Sequence, residues 1–484
     1  MKKTSIAIIG AGWTGLQMGK VLVDCGYEVK IFEALDDVGG TWNPKIAYHG
    51  LTIHTPIFLC QFVDYPFSEV FHNNLKRLSF LDIFEYCRGY ARDKGLYDLI
   101  SFNCKMTRLD YNSTLDVCTI SITNKLNNES KDYKFDYVIS TQFNVPKIPT
   151  FPGQDKYLGK IYHSNDIKED IFNDIIKNKQ KVVLVGGSKS GTDFAYMFAN
   201  RNYNINWIME QMYWFYSYDN IIYNFKTGKK SGFINATFWF IGFILLNIKY
   251  LGKMGYYAWA LLGIIKCPGK KHFDFNKFHI GYMDQHQIDI ISNTKQIYSS
   301  ISHLDNKQVV LENGLEIDCD VIICATGCDP FDEDLIFSRD GQVINIRDQK
   351  QVYQYSVIPQ IPKLCFTAFI FPAAGPENAY AKSAWFLNYV EKNLTSTQLH
   401  ELCNKNDNWN FMKGSPLFQS NEPYYPLTAE RTGEFLSGIA DKKGLLGYVY
   451  NIHFKKQSGP MKAVRKFIED RMVRRERKHI SSQT

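Results

Sequence analysis

The chain has 484 residues, 45% of them hydrophobic and 22% charged. That balance excludes a disordered or collagen-like chain and allows large buried cores, with a length suited to about three domains. The net charge of +7 is too small to imply nucleic-acid binding, and it is concentrated: residues 455–484 hold ten Lys/Arg against three Asp/Glu, whereas 1–454 hold 46 of each.

The first residues, two lysines and an apolar run, superficially resemble a signal peptide, but no cleavage site follows and Thr4–Ile9 reads as a β-strand. Gly10-Ala11-Gly12-Trp13-Thr14-Gly15 comes next, then a helical stretch Leu16–Leu22 and a second strand Tyr27–Phe32 ending at Glu33, 23 positions after Gly10. This is the β-turn-α-β pattern of a dinucleotide site. Gly10 permits the tight turn, Gly12 lets the backbone approach a pyrophosphate, Gly15 lets the helix pack on the strand, and Glu33 can accept from ribose hydroxyls. A strand at Phe135–Ser140 ends in Thr141-Gln142-Phe143, and Pro146, Pro149 and Pro152 then mark a linker, so a boundary is expected near 145–155.

The pattern then recurs. Strand Lys181–Val185 leads into Gly186-Gly187-Ser188-Lys189-Ser190-Gly191, a helix Thr192–Asn200, and a strand Asn204–Met209 followed by Glu210, 24 positions after Gly186. Ser188 stands where a glycine would ease the approach to phosphate. An apolar stretch follows, Phe233–Ile248 and Tyr256–Ile265, each piece too short to span a bilayer. It reads as a pair of buried helices lining a substrate channel, with an interfacial membrane contact as the alternative. Gln308–Leu311, a turn at Glu312-Asn313-Gly314 and Leu315–Ile323 read as a hairpin whose second strand runs into Cys324-Ala325-Thr326-Gly327, with a return crossing near 320–330. Pro460–Lys478 reads as a helix with Val464, Phe467, Ile468 and Met472 on one face and basic residues on the other; it docks on the protein body or meets a membrane surface or partner. The eleven scattered cysteines contain no C-x-x-C, which argues against zinc or disulfide frameworks and reads as reduced thiols in a cytosolic protein.

Two such sites imply an α/β fold with two Rossmann-like dinucleotide-binding domains, the nicotinamide domain inserted into the FAD domain. The expected organisation is 1–150 for the first part of the FAD domain and 151–320 for the NAD(P) domain with an apolar helical insertion near 230–268. Residues 321–450 form the second part of the FAD domain, and 451–484 form a basic tail helix. The two redox rings would meet between the domains.

In ordered motifs over residues 1–390 the chain resembles the flavin-containing monooxygenases and their Baeyer–Villiger relatives. Gly10–Gly15 with Glu33 resembles the family's FAD fingerprint, and Gly39-Gly40-Thr41-Trp42 resembles its Gly-Gly-x-Trp. Phe62-Val63-Asp64-Tyr65-Pro66-Phe67 resembles its F-x-D-F-P-F segment, and Cys324-Ala325-Thr326-Gly327 its late A-T-G motif. Tyr157, Gly159, His163 and Ile167 are similar to its identifying motif, with Tyr157 in place of phenylalanine and Ile167 in place of the closing aromatic. The missing aromatic argues against a true Baeyer–Villiger enzyme. Glutathione-reductase-like flavoenzymes place a redox cysteine just after the paired glycines; here none occurs before Cys60, which argues against a dithiol relay.

The resemblance implies FAD, NADPH or NADH, dioxygen, and oxygen transfer through a flavin C4a-hydroperoxide to a small N or S nucleophile or a carbonyl substrate. It assigns Gly10, Gly12, Gly15, Glu33, Trp42 and Thr326 to FAD and Ser190, Gly191, Thr192 and Asp193 to the nicotinamide cofactor. Gly40, Thr41, Thr55, Gly186, Ser188, Glu210 and Gly327 complete the cofactor-binding set. His54 falls where the family carries an active-site Asn or Asp, so His54 and His163 are the catalytic candidates. Glu210 falls where the family places an arginine for the 2′-phosphate. An acid there favours NADH, unless Lys189 or Arg201 supplies the charge. Two further functions stay open: an NAD(P)H oxidase or quinone reductase without oxygenated product, and a flavoprotein that has lost catalysis and serves as a binding protein. No metal and no nucleic acid are expected. The expected location is cytoplasmic, with peripheral membrane contact through 233–265 or the tail as an open alternative.

Overall fold

The computed structural model describes residues 3–54, 60–67, 78–141, 145–217, 265–270, 282–329, 332–349, 351–354, 356–367, 375–405, 464–473 and 475. Its framework is two five-stranded parallel sheets. The first orders its strands Leu364–Phe366, Tyr137–Ser140, Ser5–Ile9, Glu28–Phe32 and Ile100–Ser101. The second orders Gln296–Tyr298, Asn206–Met209, Val182–Val185, Val321–Cys324 and Lys160–His163. A parallel sheet is covered on both faces, which is why inner strands such as Val182–Val185 and Val321–Cys324 are unbroken apolar runs rather than alternating ones. Ile6 and Ile8 pack under Leu16, Met18 and Leu22 of helix Trp13–Asp24. Ala7 and Ile9 face Met106, Leu109 and Ile120 of an antiparallel sheet on the other side. The second domain repeats the plan. Val182 and Leu184 pack with Phe194 and Phe198 of helix Lys189–Ala199. Val183 and Ile322 pack with Val309, Leu311 and Ile317 of a three-stranded sheet. Each fully buried aliphatic side chain contributes about 1.5–3 kcal/mol.

The second domain is inserted into the first. After it, strand Ile336–Arg339 returns to pair in parallel with Cys104–Asn112, and Leu364–Phe366 pairs with Tyr137–Ser140. The outgoing and returning linkers pair antiparallel, Val145–Pro146 against Cys328–Asp329. The crossing therefore lies within the expected 320–330, a few residues past the division drawn at 320. Val321–Cys324 belongs to the second sheet, between Val182–Val185 and Lys160–His163. The expected strand Leu315–Ile323 is two strands in different sheets: Glu316–Asp318 pairs antiparallel with Gln308–Leu311, and the chain then turns to run parallel to Val182–Val185. Asp320 makes the break, its carboxylate accepting from Lys181 N at 2.8 Å.

Residues 464–473 are helical, with Val464 and Ile468 buried and Phe467 and Met472 packed against the core. Arg471 donates to Glu391 Oε1 at 2.9 Å, and Arg475 donates to the carbonyls of Val23 and Asp24 at 2.6 and 2.9 Å. Those carbonyls end helix Trp13–Asp24, where a cation complements the helix dipole. The tail helix docks on the body. The apolar stretch 233–265 lies outside the described residues apart from Ile265. Of the expected helical insertion near 230–268, the described part includes the strand Ile265–Lys266. Among the described residues no helix is long and apolar enough to cross a membrane, and no cysteine forms a disulfide.

Candidate functional site

The first glycine turn is built from a backbone only glycine tolerates. Gly10 has φ +105°, and its N–H donates to Phe32 O at 2.8 Å. A Cβ on Gly10 would lie 2.4 Å from Thr141 Oγ1, and one on Gly15 would lie 2.0 Å from Gly10 O. Helix Trp13–Asp24 therefore rests directly on the turn. Gly12 faces Gly40, whose φ is +55°; a Cβ on Gly40 would lie 3.1 Å from Gly12 Cα. Gly39 N donates to Ala11 O at 3.0 Å and joins the two turns. Trp13 and Trp42 pack at 5.3 Å beside them. Thr41 lies in the short turn of helix Gly40–Trp42.

The result is a backbone-lined cradle at a helix N-terminus. That helix has no side-chain cap and no acid in its first turn, whereas helix Phe80–Asp93, whose Phe84 packs against Gly39, has a full capping box from Ser79 and Asp82. Uncapped N–H groups against a gap that excludes side chains fit the pyrophosphate of a dinucleotide. Glu33 ends the second strand as expected. It is buried, and its carboxylate accepts from Ala11 N at 2.6 Å and Leu35 N at 2.9 Å. Burial pushes its pKa up, while the hydrogen bonds from Ala11 and Leu35 oppose that. Glu33 thus also fixes the turn.

The second turn is nearly a copy. Gly186 has φ +113°, its N–H donates to Ile208 O at 2.9 Å, and its carbonyl accepts from Trp207 Nε1 at 2.8 Å. A Cβ on Gly191 would lie 2.0 Å from Gly186 O. Ser188 has extended backbone, φ −91°, which any residue adopts, so the serine brings no strain. The helix begins at Lys189, earlier than expected, with Ser190 in its first turn, no side-chain cap and no first-turn acid.

Several assigned residues also make structural contacts. Thr192 is buried and donates its hydroxyl to Lys189 O at 2.8 Å. Asp193 is buried under Tyr48 of the first domain, whose hydroxyl donates to it at 2.7 Å, and it also pairs with Lys189. Both residues serve the helix and the domain junction. Thr326 and Gly327 lie in the paired linkers beside the second turn, because a Cβ on Gly186 would strike Ala325 O at 2.3 Å. Thr326 Oγ1 donates to Lys147 O. Thr141 occupies the equivalent place at the first turn, its hydroxyl donating to Ile9 O at 2.8 Å.

His163 is a clamp. Its Nδ1 accepts from Asn165 N at 3.1 Å, which leaves Nε2–H to donate to Gly327 O at 2.9 Å. The ring is buried and both nitrogens are committed to backbone, so it holds the linker. Burial lowers its pKa. The rest of the identifying motif is equally structural. Tyr157 donates to Cys319 O at 3.1 Å, Gly159 admits the Tyr157 ring, and buried Ile167 accepts from His49 N at 2.8 Å. His54 is partly buried and follows Ile53, whose N–H donates to Leu78 O at 2.9 Å; Thr55 lies outside the described residues. Glu210 is exposed at the end of Asn206–Met209. Tyr48 and Thr141 carry no local motif, and their roles emerge only from packing.

Two glycine turns, each opening onto an uncapped helix N-terminus and one domain threaded into the other, define a protein that holds two dinucleotides. Residues 2–371 match the family model FMO-like, flavin-binding monooxygenase-like, and the chain belongs to that family. Over 210 residues it is 30% identical to senecionine N-oxygenase of Tyria jacobaeae, covering 40% of this chain and 44% of that protein. Over 376 residues it is 27% identical to flavin-containing monooxygenase 3 of Rattus norvegicus, covering 70% of this chain and 66% of that protein. The aligned parts span less than two thirds of these relatives. The structure of cyclohexanone monooxygenase from Rhodococcus sp. Phi1 bound to NADP+ matches with a TM-score of 0.63 at 17% identity, over 90% of this chain and 98% of that chain, a likeness of fold alone.

Proposed function

We propose that the protein is an FAD- and NAD(P)H-dependent monooxygenase that inserts one atom of dioxygen into a small N or S nucleophile or a carbonyl compound. The observation that carries this is the pairing of two glycine-turn cradles, Gly10–Gly15 with Gly40 and Gly186–Gly191, in one inserted architecture, within a family of flavin-binding monooxygenases. Gly12 and Gly40 would admit the FAD pyrophosphate to the N-terminus of Trp13–Asp24, with Trp42 as a wall and Glu33 toward the ribose. Gly186, Ser188, Ser190 and Gly191 would hold the nicotinamide dinucleotide. When bound, FAD supplies the redox chemistry between nicotinamide and dioxygen. The chain's own work is to orient and to exclude water. Tyr48 on Asp193 and His163 on Gly327 hold the two turns in one frame, and His54 is the candidate group beside the reacting atoms.

The test incubates purified, flavin-loaded protein with NADH or NADPH, 18O2 and three probes: a tertiary amine, a thioether and a cyclic ketone. One 18O in a product, with peroxide below the nicotinamide consumed, supports the proposal. Peroxide equal to nicotinamide with every probe points to an oxidase. Protein that cannot be loaded with FAD points to a binding protein.

A further inference from the structure

We propose that the second nucleotide site selects a dinucleotide with a free ribose 2′-hydroxyl, NADH over NADPH, and that Glu210 makes the selection. This rests on the reading of the second domain as the nicotinamide site. Glu210 immediately follows strand Asn206–Met209, the second strand of that β-α-β unit. From this position a carboxylate accepts the ribose 2′-hydroxyl, whereas a 2′-phosphate needs a cation. The phosphate turn and Glu210 are adjacent, since a Cβ on Gly187 would lie 2.8 Å from Gln211 O and 3.2 Å from Met209 Sδ.

Beside them opens a cavity of about 460 Å³ lined by Glu210, Gln211, Tyr298, Ser300, Glu312 and Asn313, among others. Its wall is continuous with the sheet, because Ser299 N donates to Met209 O at 3.2 Å. Ser300 bridges the two acids: its hydroxyl donates to Glu210 Oε1 at 3.4 Å, and its carbonyl accepts from Glu312 N at 3.0 Å. No lysine or arginine lines the cavity among the described residues. Two cations of the unit are engaged elsewhere. Lys189 pairs with Asp193, and Arg201 lies over the Phe172 ring at 4.9 Å and donates to Met197 O at 3.3 Å. Lys270, whose backbone N–H donates to Tyr298 Oη at 2.7 Å, is the alternative source of positive charge.

A 2′-phosphate here would bring two negative charges against Glu210 with Glu312 on the same rim, while a hydroxyl would donate to the carboxylate. At about 5 Å in a water-like medium the repulsion from one carboxylate weakens binding roughly tenfold.

Isothermal titration of the full-length, flavin-loaded protein with ADP-ribose and with 2′-phospho-ADP-ribose reads this directly, since neither probe transfers hydride. The expected result is ADP-ribose tighter by about tenfold or more. Glu210→Gln should narrow the gap, and Glu210→Arg should reverse it. Equal binding, or tighter binding of the phosphorylated probe, overturns the proposal; if Lys270→Ala then removes that preference, the determinant is Lys270. Binding of neither probe overturns the nicotinamide reading of the domain, and the specificity with it.

Discussion

Gly15 and Gly19 lie one turn apart on helix Trp13–Asp24 and share the same intrinsic propensity. Replacing either by alanine removes a helix-interior glycine and, on propensity alone, stabilises by about 1 kcal/mol. The surroundings separate them. A Cβ at 15 would lie 2.0 Å from Gly10 O, a backbone atom held by the turn. A Cβ at 19 would meet Ile31 Cδ1 at 3.0 Å, the mobile end of a side chain. An ordinary carbon–oxygen contact needs more than 3 Å, so at 15 the helix must lift by over an ångström or the turn must open. Overpacking on this scale costs about 1–3 kcal/mol and exceeds the propensity gain. The lift also moves the N-terminal N–H groups away from the cradle. Gly15→Ala should therefore weaken FAD binding by about tenfold or more, equivalent to about 1.4 kcal/mol, and lower the melting temperature. Gly19→Ala should leave FAD affinity unchanged. Titration of apoprotein by flavin fluorescence and a thermal melt check both. If Gly15→Ala binds FAD as tightly as Gly19→Ala, the helix does not rest on the turn and the cradle is wrongly built.

Two further outcomes concern the supports of the site. His163 is neutral in the fold and burial depresses its pKa below the ordinary histidine value of 6.5, so protonation favours the unfolded chain; its contribution is complete above pH about 6.5 and declines as pH falls through that value. Comparing urea midpoints from pH 7.5 to 5 for wild type and His163→Gln isolates this slope from that of His49, whose pKa is also depressed; identical slopes would remove the clamp. Ending the chain at residue 463 should destabilise by about 3 kcal/mol or more, because buried Val464 and Ile468 leave the core. Denaturant unfolding checks it, and an unchanged midpoint would mean that the tail does not dock.

The glycine turns were legible because their cause is local. Gly10 and Gly186 must adopt φ above +100°, and the flanking strands and helix carry their own periodicity. The docked tail was legible in the same way, as an apolar stripe at helical spacing. The domain edge at 320 was not, because strand character in Leu315–Ile323 says nothing of its partners: Glu316–Asp318 pairs with a hairpin, while Val321–Cys324 pairs with a sheet laid down more than a hundred residues earlier. Thr192 and Asp193 follow the glycine turn in sequence, which says nothing of the contacts they make within the fold. Their partners are set by helix rotation and by Tyr48, a residue 145 positions away from Asp193. A contact of that sequence separation leaves no periodic trace.

The departures from the family pattern bear on whether the protein still catalyses. Ser188 was one, yet its backbone is extended and needs no glycine. Tyr157 and Ile167 were two more, yet both are buried joints between backbone segments. A joint tolerates any side chain that fills the space and meets its hydrogen bonds, so these changes carry no message about chemistry. Glu210 bears on which nicotinamide dinucleotide binds, and His54 remains as the departure nearest the chemistry, at the position where the resemblance implies an asparagine or aspartate. If it borders the reacting atoms, His54→Asn should change the peroxide released per nicotinamide oxidised by a factor of about three or more, a barrier difference of about 0.7 kcal/mol, with FAD affinity unchanged. An unchanged ratio at unchanged FAD affinity would remove His54 from the reacting site and leave the chain with no departure that touches the chemistry.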